Sequence, residues 1–73
     1  MPKYFFHLVG DVSAHDLLGH DCANDRDAEN HGKTLARDVG TDRPQIVRDG
    51  NYIAVAREDG EEIFKIPLRS MRA

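Results

Sequence analysis

The chain has 73 residues, with 10 basic and 13 acidic side chains and a net charge of −3 when histidine is neutral. That length holds one domain, residues 1–73, and the acidic balance speaks against a general nucleic-acid binder. No apolar run approaches the ~20 residues that cross a bilayer, while Leu, Ile, Val and Phe together number 17, enough for a small core.

The opening segment, Tyr4 to Val9, is aromatic and β-branched and stops at Gly10-Asp11, which predicts a strand and a turn. Tyr4, Phe6 and Leu8 share one face, and Phe5, His7 and Val9 share the other, so both faces are expected to be covered. A short second strand is expected near Val12 to His15, followed by a turn through Asp16-Leu17-Leu18-Gly19. Asn24 then caps a helix whose first turn carries Asp25, Asp27 and Glu29, where the helix dipole favours negative charge. Ala28, Gly32, Leu35, Ala36 and Val39 draw its buried stripe. Gly32 on that stripe predicts close approach of helix to sheet, and Gly40 is expected to end the helix in a left-handed conformation.

Thr41 to Gln45 reads as a loop. Asp49-Gly50 suggests a turn with a short partner strand over Ile46 to Arg48. The closing hairpin turns at Asp59-Gly60, expected as a two-residue type I′ turn. That register pairs Glu58 with Glu61, Arg57 with Glu62, Ala56 with Ile63, Val55 with Phe64, Ala54 with Lys65 and Ile53 with Ile66. Ile53, Val55, Phe64 and Ile66 then form a core face, with an Arg57–Glu62 ion pair at its rim. Residues 69–73 read as a frayed tail. The expected fold is α+β, a small antiparallel sheet with one helix packed on one face, in the order β-β-α-β-β.

A domain this short buries only ~60% of the surface its unfolded chain exposes. The lone Cys22 excludes an internal disulfide and suits a reducing cytoplasm, which leaves a metal or a second subunit as the usual aids. One helix covers one sheet face. The other, with Tyr52, Ala54, Ala56 and Ile63, is left as an apolar interaction face.

Candidate chemistry is sparse. Gly32-Lys33-Thr34 copies the end of a phosphate-binding loop, but the first glycine of that motif is replaced by Asp27 and the residues fall inside a helix. His15, His20 and Cys22 are a possible zinc cluster, since imidazole and thiolate suit that metal, although their spacing matches no standard zinc template. Cys22 as a nucleophile requires a base and oxyanion donors; the helix N-terminus and a nearby His20 or His31 would assist it, but the sequence shows no sign of a substrate pocket. The acids near the helix start lack the glycine of a calcium loop, because the sixth position counted from Asp21 is Arg26.

The start Met1-Pro2-Lys3-Tyr4-Phe5-Phe6-His7-Leu8, the Asp16 to Gly19 turn, the Asn24-led helix and Glu58-Asp59-Gly60 resemble a known pattern. It belongs to a family of short, mostly alphaproteobacterial proteins classed as a domain of unknown function. The chain departs from that family in Cys22, where leucine is usual, and in a shorter helix with fewer alanines. The resemblance implies the fold and a bacterial origin and transfers no functional residues. Strand and helix order is also similar to the HicB-like antitoxin fold, without that family's proline-aspartate-leucine-proline-glycine stretch.

These observations predict a cytoplasmic, non-enzymatic protein-interaction module with no cofactor. Its expected partner is a second copy of itself or another protein, with no nucleic acid, membrane or identifiable small-molecule substrate. The alternatives are a small zinc-stabilised domain using His15, His20 and Cys22, and an antitoxin-like regulatory domain.

Overall fold

The computed structural model describes residues 2–11 and 13–69. Alternating large side chains draw Lys3–Val9 into strand β1, with Tyr4 and Phe6 buried on one face. The chain returns as a two-residue strand β2, His20–Asp21, antiparallel to Lys3 and Tyr4. Helix α1 spans Asp25–Asp42 and one turn of 3-10 helix covers Pro44–Ile46. The hairpin strands are β3, Tyr52–Arg57, and β4, Glu62–Pro67. Sheet order is β2-β1-β3-β4, antiparallel at every junction, which is the expected α+β fold of order β-β-α-β-β.

Two strands expected from the sequence are not where it placed them. Between Val9 and His20 the described residues make an isolated bridge, Leu8 with Ala14, and the true second strand lies further on at His20–Asp21. Val12 lies outside the described residues. No strand forms over Ile46 to Arg48. Pro44 favours a helical turn there, and Arg48 to Asn51 closes a tight turn with Asn51 N–H on the Arg48 carbonyl.

In α1, Asn24 is the N-cap, its side chain accepting from Asp27 N–H at 2.9 Å, while the Asp27 carboxylate accepts from Ala23 N–H. Ala28, Gly32, Ala36 and Gly40 form the buried stripe. A β-carbon on Gly32 would stand 2.5 Å from Ile66 Cδ1 and 3.0 Å from Val55 Cγ2, so the expected close approach to the sheet is present. Gly40 does not end the helix. It lies inside it, and a β-carbon there would stand 1.8 Å from the Arg69 carbonyl oxygen. The glycine admits the backbone after β4, whose Arg69 N–H reaches the Ala36 carbonyl. Of the tail expected to fray, residues 70–73 lie outside the described residues.

The hairpin corrects the predicted turn. Arg57 N–H donates to the Glu61 carbonyl and Gly60 N–H donates to the Arg57 carbonyl, so the loop has three residues and Gly60 alone takes a positive φ, +93°. This is the turn followed by a left-handed residue that three-residue loops favour. Arg57 therefore faces Glu61, not Glu62, and Ala56 pairs with Glu62, not Ile63. Continued along the strands, that register would bring Lys65 opposite Ile53. A bulge at Ile63 restores the predicted one, with Val55 on Phe64, Ala54 on Lys65 and Ile53 on Ile66. Burial of Phe64 and Ile66 thus overrides the turn.

α1 packs over β3 and β4. The core joins Tyr4, Phe6, Ile53, Val55 and Ile66 of the sheet to Ala28 and Ala36 of the helix, with Cys22, Ile46 and Leu68 at its margins. The exposed edges of the sheet are blunted. β4 carries the bulge, Glu62, Lys65 and Pro67, and the opposite edge is a strand of two residues.

Candidate functional site

The segment between β1 and β2 is built around Asp16. Its carboxylate accepts from Phe6 N–H at 3.2 Å, Leu18 N–H at 3.1 Å and Gly19 N–H at 3.0 Å. Burial pushes the Asp16 carboxyl up, but the three backbone donors outweigh it and hold the group below the ordinary aspartate value. Asp16 N–H in turn donates to His7 Nδ1 at 3.0 Å. Leu8 and Ala14 exchange backbone hydrogen bonds of 2.9 and 3.0 Å. The turn is thus tied to β1 through Phe6, His7 and Leu8.

This tethered turn presents Leu17 and Leu18 to solvent, 86% and 83% exposed. They are the exposed large apolar side chains among the described residues. Because α1 lies over β3 and β4, the β1 end of the same sheet face is left open. A groove of about 490 Å³ results. Phe6, Leu8 and Ile53 form its floor, Leu35 and Val39 the helix wall, and the 14–20 segment the other wall, with Leu18 at the rim and Leu17 outside the lining.

All four histidines gather around this segment. His20 stacks on His31 with ring centroids 4.1 Å apart and planes 1° from parallel. His31 also meets the edge of Phe6 at 4.8 Å, and His15 lies edge-on to His7 at 5.1 Å. Burial, and then the charge His20 can carry, hold the His31 imidazole below its ordinary value.

The predicted zinc residues are distributed otherwise. His15 is exposed beside His7, and His20 is engaged with His31. Cys22 is buried, with Sγ 3.8 Å from the His20 carbonyl oxygen. Burial pushes the Cys22 thiol up, and Asp27 and Asp21 push it further, which favours an inert thiol over a thiolate. Among the described residues no three His, Cys, Asp or Glu side chains are grouped as metal ligands. The phosphate-loop fragment lies in mid-helix, with Lys33 paired to Glu29 at 3.8 Å.

The predicted interaction face is more covered than expected. Ala54 and Ala56 are 4% and 6% exposed in the single chain. Tyr52 is half-buried, with the Lys65 ammonium 5.6 Å from its ring centroid. Ile63, the bulge residue, packs against the core. Sequence reasoning found the Asp16 turn but not its exposed leucines or the groove beside them. The available signal was the pair Leu17-Leu18 inside a turn, where polar residues are usual.

No curated protein matches the chain, and no solved structure matches it. The model of one family, described as a domain of unknown function (DUF6894), matches residues 3–69. The chain belongs to that family.

Proposed function

We propose that this member of the family is a non-enzymatic protein-interaction module that forms a homodimer, each copy placing Leu17 and Leu18 in the groove of the other. The carrying observation is the tethered turn. Four hydrogen bonds fix Asp16 in a loop whose outward product is two leucines in water. The Asp16 carboxylate and His7 Nδ1 are thereby committed to structure rather than to chemistry.

Several observations support a second copy as the occupant. Knob and groove lie side by side on one surface, so a two-fold axis satisfies both at once, as an isologous interface requires. Although the chain carries a net charge of −3, Asp16 is the only acidic side chain among the described residues lining the groove, and three N–H groups hold its charge, which keeps repulsion between two copies small there. A standard interface needs about 800 Å² per partner, roughly one-sixth of the 4959 Å² this chain exposes. Blunted sheet edges disfavour the other common route, strand addition.

Burying four leucines contributes about 6–12 kcal/mol, against about 4–15 kcal/mol for lost freedom on association. The leucines alone thus do little more than offset that cost, and the surplus comes from the apolar groove lining they cover, so a weak, concentration-dependent dimer is the expected result. Light scattering of untagged protein over a concentration series at pH 8 tests the proposal. Wild type should reach about twice the chain mass, and the Leu17→Ser/Leu18→Ser double variant should remain a folded monomer. A wild type that stays monomeric at several hundred micromolar overturns it. So does a dimer that survives the leucine changes but is lost in Ala56→Lys, which would place the interface on the sheet face that carries Tyr52.

A further inference from the structure

We infer that the turn carrying Leu17 and Leu18 is a proton-sensitive latch, closed only while His7 presents an unprotonated Nδ1 to the Asp16 amide. Where that latch controls association, it rests on the dimer reading above. The argument is one of hydrogen-bond direction. A backbone N–H is always a donor, so its partner at 3.0 Å, His7 Nδ1, must be an acceptor. An imidazolium carries hydrogen on both nitrogens. Once His7 takes up a proton, two N–H groups point at each other and the hydrogen bond is lost.

The groups around His7 decide whether anything offsets that loss. On the 13–19 segment, Asp16 supplies a negative charge, and its Oδ2, which accepts from Phe6 alone, has a lone pair to spare, but His7 Nδ1 faces the Asp16 amide, so Nδ1–H reaches that oxygen only once the amide has moved aside. His15, edge-on at 5.1 Å, adds repulsion once it too is protonated. From the sheet, His7 pairs with Ala54, which pairs with Lys65, while Lys3 and Tyr52 alternate onto the same face. Lys65 rests over the Tyr52 ring, and two carboxylates, Glu62 opposite Ala56 and Asp21 opposite Lys3, lie further along that face. Imidazoles titrate between about pH 5 and 8. Phe5, stacked on His7 at 6.3 Å, brings no charge. Acidification therefore opens the turn, and the leucine pair loses its fixed position beside the groove.

The test combines amide NMR with light scattering on the whole chain between pH 8 and 5. In wild type, the Asp16, Leu18 and Gly19 amide signals should shift together, with a midpoint equal to that of the His7 ring signals. The dimer should weaken by ~10-fold or more over the same interval. His7→Asn places a non-titrating amide oxygen near the same N–H, so its turn amides and its dimer should hold through pH 5. His7→Leu, without an acceptor, should show the open-turn signals at every pH while the remaining amides keep their dispersion. The latch is overturned if the Asp16 amide ignores the His7 titration, or if His7→Asn still opens as wild type does. A wild type monomeric at every pH whose Asp16 amide nonetheless tracks His7 leaves the latch standing and removes the dimer reading alone.

Discussion

Asp25 and Arg57, 32 residues apart in sequence, are joined by a forked ion pair in which Arg57 Nε and Nη2 both reach the carboxylate of Asp25. The same carboxylate accepts from the Tyr4 hydroxyl at 2.7 Å, and Arg57 Nη1 also holds Glu61. One aspartate in the first turn of α1 thus fastens the helix to β1 and to the hairpin. The hydrogen bonds from Arg57 and then Tyr4 hold the Asp25 carboxyl below its ordinary value, while the bond to Asp25 and then burial push the Tyr4 phenol up.

Asp25→Asn is therefore expected to lower Tm more than removal of the exposed helix pair by Lys33→Ala, because it touches three elements and not one. Arg57→Lys should recover little of the loss, since an ammonium cannot reproduce the fork. The sign with pH follows from a depressed folded-state value. The contribution of Asp25 is complete above its unfolded value near 3.8 and is lost as pH falls through the lower folded value. Thermal melts from pH 7 to 2 on wild type and variant check this, and curves that stay parallel down to pH 2 would contradict it.

The two helical glycines should respond differently to alanine. At Gly40 the obstacle is the Arg69 carbonyl, a backbone atom that yields only if the post-β4 segment moves. Gly40→Ala should cost about 1–3 kcal/mol, outweighing the ~1 kcal/mol of helix propensity gained. At Gly32 the nearest atom is the end of the Ile66 side chain, which can rotate. Gly32→Ala should fall within about 1 kcal/mol of wild type. Urea denaturation followed by circular dichroism reads both, and the reverse order would refute the account of Gly40.

Deletion of Ile63 offers a sharper check on the hairpin. Because the bulge compensates a three-residue turn, removing Ile63 leaves Ala56 on Glu62 and Val55 on Phe64 with no bulge between them. The shortened chain should fold with the same register, at lower stability, since Ile63 packs on the core. Deletion of Lys65 can draw on the same bulge, but it pairs Ile63 with Val55 and Phe64 with Ala54 while Ile66 stays on Ile53, so Phe64 leaves the core face and the loss of stability should be larger. Cross-strand NOEs between Val55 and Phe64 in the Ile63 deletion are the diagnostic observation.

His31 supplies a second pH dependence, separable from that of His7. Its folded-state value lies below the unfolded one, so the folded chain disfavours the charged ring. Stability from this group is present above the ordinary histidine value near 6.5 and declines as pH falls toward the depressed value. His31→Phe keeps a ring against His20 and Phe6 but cannot titrate. Its Tm should fall less than that of wild type between pH 8 and 5. Equal slopes would show that His31 carries no part of the effect.

Some of this architecture was legible in the sequence. Asn24, the Ala28–Gly32–Ala36 stripe and the alternation through Ile53, Val55, Phe64 and Ile66 each have one physical reading, and the structure follows it. Gly40 has two. A glycine near a helix end serves a left-handed cap and a close approach equally well, and only the position of Arg69 selects between them. Asp59-Gly60 is ambiguous in the same way, since a glycine of positive φ closes both two-residue and three-residue loops. The groove was not legible, because it depends on where α1 settles across the sheet. That is a tertiary outcome of the small residues that let it lie close to β3 and β4.

The strand order has a kinetic consequence. β3 and β4 meet through a three-residue loop, and α1 is a local element, so each forms without waiting for distant chain. β1 finds its principal partner in β3, on the far side of the whole helix. Closing that long loop is the slow event. On a ribosome, β1 emerges before the strand it needs, and its three consecutive large residues Tyr4, Phe5 and Phe6 lack their principal partner until β3 has followed. The interval before β3 arrives is when the nascent chain is most exposed to misassociation, and slower synthesis between Asp42 and Tyr52 would lengthen it.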